Sequence, residues 1–383
     1  MWFRIRAFKS ARRAGRALVS VAVGLIFVAA CLMCRSHPAI AADDRLTPAL
    51  ELKEQYNDNI FIEKKNPESD FITILVPMLT YDRGTERARF KLSGRVGIVE
   101  YAEHDGLSAI DQNYLGSLDF QKTPRLGMSL NVNYLQDHQP DRDLLVSGLI
   151  FDAIRRDRWT FGVSGSYALT ERSSLEGGYS HVVEKFPGGN AADSDTHYVS
   201  GSYAYKWSPL LTQSLALNYS HTEYENARQD NVTVQLGLAK VIAERWSIDG
   251  AIGGRFTRSE YATYEPVFRP PYLEFVKRDV SADETGGVAH FNLNYRTDVT
   301  RLTTGFGYDV ELASGRSGAV KQTSVTLELV RRIHRDISGF IRGGYYLNRA
   351  EAEELAENEI DEQVLRLGAG VRWDLSPDWG TSL

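Results

Sequence analysis

Apolar and polar residues alternate with a period of two along much of this chain. In residues 126–134 (LGMSLNVNY) the even positions are apolar, and the odd positions are glycine, serine or asparagine. The pattern recurs in residues 232–238, 289–295, 323–329 and 365–373. Successive side chains of a β-strand point to opposite faces of a sheet, so this period predicts many strands with one apolar and one polar face.

Two all-β architectures alternate in this way. A soluble sandwich hides its apolar faces between two sheets, whereas a membrane barrel turns its apolar face to lipid. Here the polar face is rich in Gly, Ser, Asn and Arg, as in a watery interior, and aromatic residues lie at strand ends, where interface girdles belong. These are Tyr81, Tyr134, Trp159, Tyr167, Trp207, Trp246, Tyr295 and Trp373. We predict an all-β fold, a transmembrane antiparallel up-and-down β-barrel of about 16–18 strands.

The connections alternate between tight turns and looser polar stretches, as in outer-membrane barrels. The tight turns are residues 82–84, 122–125, 170–173, 208–211, 243–245, 298–301, 334–336 and 376–378. The looser stretches are residues 57–69, 104–108, 139–157, 187–195, 226–230, 262–287, 314–319 and 349–361. We assign the tight set to the periplasm and the looser set to the exterior. The first complete strand is then Leu46–Tyr56, and the sixteenth is Glu362–Leu375.

The C-terminal residues depart from this scheme. Ser376–Gly380 is typical of another turn, and Thr381–Leu383 of the start of a seventeenth strand. Barrels of this kind usually finish on a strand whose last residue is aromatic. A sequence that lacks its last hairpin and a closed sixteen-strand barrel with a short tail both remain open.

The first 41 residues have the secretory pattern. Six basic residues precede an apolar run, Ala17–Cys34, and Ala39-Ile-Ala41 supplies the small residues of a signal-peptidase site. We predict cleavage before Ala42, Sec export, and one barrel domain, residues 42–383, in the outer membrane of a Gram-negative bacterium. An uncleaved membrane anchor is one alternative, and a lipid on Cys31 is another, because Val28–Cys31 resembles a lipobox.

Removal of residues 1–41 changes the charge and the cysteine count. Seven of the 44 Lys and Arg residues are lost and none of the 50 Asp and Glu, so 37 basic residues face 50 acidic ones, a net charge of −13. This charge argues against a nucleic-acid partner. Both cysteines, Cys31 and Cys34, are also lost, which excludes disulfides and cysteine-ligated metals from the mature chain.

Few residues suggest catalysis or metal binding. Neither a G-x-S-x-G nor an H-E-x-x-H motif is present. Asp193-Ser-Asp195 resembles a fragment of a calcium loop, but it lacks the glycine and terminal glutamate, so we expect a solvated acidic loop. His290 is expected on the polar face beside Asn292 and Asn294. We therefore predict no enzyme, no cofactor and no metal.

Short motifs resemble a known family. Leu50–Phe61 (LELKEQYNDNIF), Phe71–Pro77 (FITILVP), Gln139–Asp143 (QPDRD) and Ile154–Arg158 (IRRDR) are similar to segments of the porin-2-like barrels encoded beside exopolysaccharide genes. The resemblance implies a porin-like pore or export component associated with polysaccharide synthesis or secretion. It implies no catalytic residues. The expected partners are outer-membrane lipid, polysaccharide or small anionic solutes, and export-complex proteins.

Strand parity identifies candidate lumen-lining residues. If Phe90 and Leu92 face lipid, their neighbours face inward, because a charge on the lipid side costs roughly 2–4 kcal/mol at the midplane. The candidates are Arg89, Lys91, Arg95, Asp119, Glu328, Arg342, Arg366 and Arg372, with Asp249 and Asp309 assigned inward by the same parity.

Two interpretations of these charges remain open: a field that selects small anionic solutes, and a wall of structural ion pairs. Two other functions also remain, a structural or adhesion barrel with a plugged lumen that acts through loops such as Ala262–Gly287, and an enzyme acting on lipid or glycan.

Overall fold

The computed structural model describes residues 43–61, 66–138, 154–188, 191–225, 227–269, 272–312, 319–350, 360–376 and 379–382. Within these ranges the chain forms seventeen β-strands and one three-residue 3-10 helix, Asp105–Leu107. None of the described helical residues forms a helix that is long and apolar enough to cross a membrane. The predicted signal peptide, the lipobox and the Gln139–Asp143 motif lie outside the described residues, as do residues 314–318 and 351–359 of the predicted looser stretches.

Sixteen of the strands have 12 to 25 residues, and the last has four. The strands are β1 (Asp43–Asn57), β2 (Asp70–Gly84), β3 (Ala88–Tyr101), β4 (Ala109–Thr123), β5 (Leu126–Asp137), β6 (Arg156–Ala168), β7 (Ser173–Lys185), β8 (Ser194–Ser208) and β9 (Leu211–Tyr224). They continue with β10 (Ala227–Ala243), β11 (Trp246–Arg269), β12 (Tyr272–Arg296), β13 (Thr300–Leu312), β14 (Ala319–Arg332), β15 (Ile337–Ala350), β16 (Ile360–Ser376) and β17 (Trp379–Ser382).

The described residues cluster into two compact units. One holds β1–β5 and the first part of β6, and the other holds the rest of β6 and β7–β17. In the first unit, β1 to β5 each pair antiparallel with the next strand in sequence. In the second unit, β7 to β17 do the same. The predicted fold class, an all-β antiparallel up-and-down fold of the β-barrel kind with about 16–18 strands, is confirmed.

Several strand boundaries differ from the sequence prediction, among them the following three. Ala262–Gly287 was predicted to be a loose loop, but β11 and β12 pair without a break from Trp246 opposite Tyr295 to Arg269 opposite Tyr272. β10 begins at Ala227, inside the predicted 226–230 stretch. β17 begins at Trp379 rather than at Thr381, and it pairs with β16. Backbone pairing continues past the point where the apolar alternation stops, so the sequence pattern predicts strands that are too short.

The distribution of side chains is the reverse of that in a soluble protein. In the second unit, Leu236 on β10 lies opposite Leu215 on β9 and Ile252 on β11, and all three are exposed. In contrast, Thr222 and Gln229, which are directly opposed on the other face, are almost fully buried. This sheet therefore has an exposed apolar face and a partly buried polar face, whereas the interior of a soluble domain is apolar.

A buried carboxylate ties two connections together in the first unit. The Asp70 side chain accepts hydrogen bonds from the backbone N–H groups of Phe71 (2.7 Å), Glu103 (3.1 Å) and His104 (2.9 Å), and it contacts His104 Nδ1 at 2.9 Å. His104 Nε2 lies 2.7 Å from a carboxylate oxygen of Glu68. We call this arrangement the Asp70 clasp. It links the connection before β2 to the one after β3, beside a small apolar cluster of Ile60, Ile72 and Val99.

The Asp70 clasp is expected to loosen as the pH rises. Hydrogen bonds to Asp70 and then to Glu68 raise the pKa of His104 above its ordinary value of 6.5. Protonated His104 therefore stabilises the clasp below pH 6.5, and this contribution is lost as the pH rises through the raised pKa. Hydrogen exchange should show that the Glu103 and His104 amides lose protection with rising pH more steeply than the Gly116 amide in β4. Parallel pH dependence in the wild type and in His104→Gln would contradict this.

Candidate functional site

Strands β14, β15 and β16 carry four of the predicted inward-facing charges. Glu328 lies directly opposite Arg342, and Arg342 lies opposite Gly368. Arg366 and Arg372 lie opposite Gly344 and Ser338, which share the parity of Arg342. The other face of β16 presents Leu365 and Leu367, which are 69% and 75% exposed. The register thus puts these four charges on the face opposite the exposed apolar residues. We call it the charged face, and in the first unit we use the same name for the face opposite its exposed apolar residues.

Arg342 is held in place on the charged face. Its Nε donates a hydrogen bond of 2.9 Å to Glu328 Oε1, and its guanidinium lies 5.1 Å from the centroid of the Phe340 ring. Both partners of the ion pair are exposed, so the pair contributes little to stability. Its effect is to compensate one positive charge with one negative charge.

Arg366 lacks such a partner. Within the part of the chain that the structure describes, no carboxylate oxygen lies within 4.0 Å of its guanidinium. The residue opposite, Gly344, has no side chain, and the ring of Tyr346 lies across it. A Cβ at Gly344 would lie 2.7 Å from Cε2 of Tyr346, whose side chain is only 3% exposed. The glycine therefore makes room for the tyrosine ring beside an uncompensated arginine.

The charged face of the first unit repeats this division. Arg89 lies opposite Asp119 and makes a bidentate pair with Asp82, with Nε–Oδ1 and Nη2–Oδ2 distances of 3.2 and 2.8 Å. Lys91 lies directly opposite Asp82. Arg95 lies on β3, opposite Met78 on β2 and opposite Asn113 on β4.

Arg95 is the counterpart of Arg366 in this unit. Among the described residues, no carboxylate oxygen lies within 4.0 Å of the Arg95 guanidinium. Each unit therefore has a paired arginine, Arg89 or Arg342, and an arginine without a carboxylate partner.

Sequence reasoning missed several members of the charged face. Asp82 was assigned to a tight turn, but β2 continues to Gly84 and keeps it on the strand. Glu284 fell within the predicted loop 262–287, yet its Oε1 lies 3.5 Å from Arg255 Nη2 and 3.1 Å from Lys321 Nζ. The parity of residues 289–295, extended back to residue 284, would have assigned Glu284 to this face.

The central part of the second unit holds a carboxylate that is bound by side-chain amides on the same face. Asp249 accepts hydrogen bonds from the side-chain amides of Asn292 (2.8 Å) and Asn294 (3.1 Å). Asp249 was assigned inward from parity, and the register puts it directly opposite Asn292. His290 shares this parity on β12.

The acidic tripeptide Asp193-Ser-Asp195 is not simply a solvated loop. Asp193 Oδ1 accepts a hydrogen bond of 2.8 Å from the backbone N–H of Phe186, which fixes the start of the connection after β7. Asp195 belongs to β8, where its carboxylate contacts two histidines. Sequence reasoning did not find these contacts because the histidines come from two different strands.

Comparisons with known proteins give a likeness of fold. No family model matches the sequence, and no curated protein matches it. Similar solved structures include the copper transporter OprC, at 11% identity over 90% of this chain and 62% of that chain (TM-score 0.46). The ferric citrate transporter FecA is 9% identical over 88% and 57% (TM-score 0.48). The siderophore receptor PiuA from Acinetobacter baumannii is 9% identical over 88% and 70% (TM-score 0.48). This chain therefore spans less than two thirds of the first two proteins.

The packing of Tyr346 across Gly344 predicts that alanine at position 344 lowers the stability of the protein. Gly344→Ala should destabilise the protein by about 1–3 kcal/mol, because the added methyl group overlaps a ring that is enclosed. Gly368→Ala is the matched control on the charged face of β16, since a Cβ there meets nothing within 4 Å. The free energy of unfolding, measured by urea titration in detergent micelles, checks both variants. Equal stability of the two variants would show that the ring moves aside freely.

Proposed function

We propose that this protein is a non-catalytic barrel of the Gram-negative outer membrane, a porin-like pore or export component for anionic solutes or acidic polysaccharide. One observation carries the proposal: the strands expose an apolar face, and the opposite face holds charges that include two arginines, Arg95 and Arg366, with no carboxylate partner among the described residues. The apolar face supports a membrane location, and the two arginines support an anionic solute.

The length of the apolar face supports a membrane location. On β11 it extends from Trp246, at the tight-turn end, through Ile252 to Phe256. These ten residue steps correspond to about 34 Å along the strand at roughly 3.4 Å per residue. A strand tilt of about 35–45° projects this to roughly 24–28 Å, close to the height of the apolar band of an outer-membrane barrel.

Aromatic residues at the ends of the apolar faces of the two units support the same location. Trp246 packs against Tyr295 at the tight-turn end of the second unit, with ring centroids 4.7 Å apart. In the first unit, Tyr134 packs against Trp159 at the looser end, with centroids 4.4 Å apart. Tyr and Trp favour the membrane–water interface, because their rings are apolar and their N–H or O–H groups are polar.

Arginine chemistry supports an anionic solute. A guanidinium stays charged at any working pH and offers a planar fork that fits carboxylates and phosphates. Arg89 and Arg342 already bind carboxylates of the protein, whereas Arg95 and Arg366 are left for other anions. Acidic sugars carry carboxylates or phosphates of this kind. The resemblance of Leu50–Phe61 to the porin-2-like barrels adds an association with exopolysaccharide to the proposal.

A second candidate function is a structural barrel whose interior is filled. Some polar side chains of the second unit are fully enclosed: Asn348 is 0% exposed and accepts a hydrogen bond of 3.1 Å from Gln322. In the first unit, Arg156 and Asp137 form a buried ion pair at 2.7 Å. Enclosed polar groups favour a filled interior. Measurement of single-channel conductance in planar bilayers separates the two functions, because a filled barrel gives no steady current.

Reversal of the two arginines should change ion selectivity. In planar bilayers, Arg95→Glu combined with Arg366→Glu should shift the reversal potential toward cation preference, since two positive charges become negative on the wall that faces the solute. Arg125→Glu combined with Arg172→Glu makes the same change of net charge in tight turns, at exposed residues, and should leave the reversal potential unchanged. An equal shift in the two double variants would assign selectivity to overall charge. Unchanged selectivity of the first would favour the structural barrel.

Cysteine labelling should establish the orientation of the barrel. The predicted mature chain has no cysteine, so single substitutions are unique markers. Glu274→Cys lies near the tip of the β11–β12 hairpin, and Glu86→Cys lies in the tight connection between β2 and β3. A membrane-impermeant maleimide should label the first variant in intact cells, and both variants in permeabilised cells. Labelling of only the second variant in intact cells would invert the assignment.

A further inference from the structure

Three of the eight histidines in the sequence lie in one row across adjacent strands of the second unit. His181 on β7 is directly opposite His197 on β8, and His197 is directly opposite His221 on β9. The residues are 16 and 24 positions apart in sequence, so the sheet register alone brings them together. The row lies on the apolar-face side of the strands, one step beyond the row of Tyr179, Val199 and Tyr219.

Two of these histidines converge on one carboxylate. His181 Nε2 lies 2.7 Å from Asp195 Oδ1, and His197 Nε2 lies 3.5 Å from the same oxygen. The potential ligand atoms of His181, Asp195 and His197 all lie within 4.8 Å of one another. Ligand atoms around one metal ion are each about 2 Å from it, so they must lie within roughly 4 Å of one another. Small side-chain rotations bring the three groups to this geometry.

The arrangement of the rings suits one metal ion shared by both histidines. The His181 and His197 rings are stacked, with centroids 4.5 Å apart and an interplanar angle of 1°. A divalent cation between the two Nε2 atoms and Asp195 Oδ1 uses the lone pairs of neutral rings and satisfies the carboxylate as well.

The second nitrogen of His197 is also engaged. Its Nδ1 lies 2.8 Å from the hydroxyl oxygen of Tyr179, which is two residues before His181 on β7. When Nδ1–H donates to this oxygen, Nε2 carries the lone pair that a metal requires. Metal-ligating histidines usually donate their other ring N–H to a fixed acceptor, which sets the tautomer and the ring orientation.

His221 differs from the other two histidines, although it belongs to the same row. Its Nδ1 lies 2.8 Å from Asp230 Oδ1, and its Nε2 lies 3.3 Å from Glu223 Oε1. Both nitrogens therefore already face carboxylates of β9 and β10. His221 is a matched control residue, because it has the same chemistry, the same face and the same row without convergence on Asp195.

We propose that His181, Asp195 and His197 form a binding site for a divalent transition-metal ion at the end of the β7–β8 hairpin. Two imidazole nitrogens and one carboxylate oxygen suit Zn²⁺, Co²⁺, Ni²⁺ or Cu²⁺, whereas Mg²⁺ and Ca²⁺ prefer sets of oxygen ligands. All three side chains are between one third and one half exposed, so the ion has access from water and keeps open coordination positions. The site lies on a different face from the charged face and is independent of the proposed pore.

Metal binding to the tag-free mature protein tests the proposal. Titration with Zn²⁺ by isothermal calorimetry should give one saturable site, and Co²⁺ should give visible absorption bands of a nitrogen-ligated ion. His181→Gln, His197→Gln and Asp195→Asn should each weaken Zn²⁺ binding at least about tenfold. His221→Gln should stay within about threefold of the wild type, because His221 is outside the site. An excess of Mg²⁺ or Ca²⁺ should not displace the Zn²⁺.

Folding of each variant is checked independently by the mobility of unheated protein on denaturing gels and by circular dichroism. Asp195→Asn is isosteric, so it keeps the test decisive if a histidine variant fails to fold. The absence of a one-to-one Zn²⁺ site, or an equal loss of binding in His221→Gln, would overturn the proposal. Displacement of Zn²⁺ by Ca²⁺ would overturn it as well, because it would indicate an oxygen-ligand site.

Discussion

Hydrogen bonding between neighbouring strands is the interaction on which every other feature of this protein depends. In the proposed hydrocarbon environment no water is present to satisfy a backbone N–H or C=O group, so each strand must pair along its length. The pairing fixes the register, and the register fixes which side chains share a face. A slip of one residue between β15 and β16 would move Arg366 from the charged face to the apolar face and put Leu365 in its place.

The sequence predicts the fold well where the two faces have different environments. Residues 126–134 and 365–373 alternate because one side is apolar and the other polar, and both segments are strands with the predicted parity. Beyond the apolar face both sides meet water, so selection for alternation ends while backbone pairing continues. For this reason the hairpin of β11 and β12 was mistaken for a loop at Ala262–Gly287.

The candidate site shows where parity stops being informative. Parity places Arg89, Arg95, Arg342 and Arg366 on one kind of face, but it does not say which of them is compensated. Compensation depends on what lies opposite: Asp119 and Asp82 near Arg89, Glu328 opposite Arg342, Asn113 opposite Arg95 and Gly344 opposite Arg366. These are cross-strand relations that require the register. The structural-pair interpretation fits Arg89 and Arg342, and the proposed selective field rests on Arg95 and Arg366.

The register also determines which residues become neighbours on the face opposite the charged face. The row that contains the three histidines continues directly through Asp230 on β10, Arg258 on β11 and Asp283 on β12. Arg258 binds Asp283 through Nε at 2.8 Å, and Asp230 binds His221 at 2.8 Å, so each of these charges has a partner on the next strand. Among the described residues, the cross-strand neighbours of Asp195 are Val183 and Glu223, neither of which is cationic, and two histidines contact its carboxylate instead. Asp195 lies on β8 two residues before His197 and on the same face as this row, and its geometry with His181 and His197 suits a metal ion.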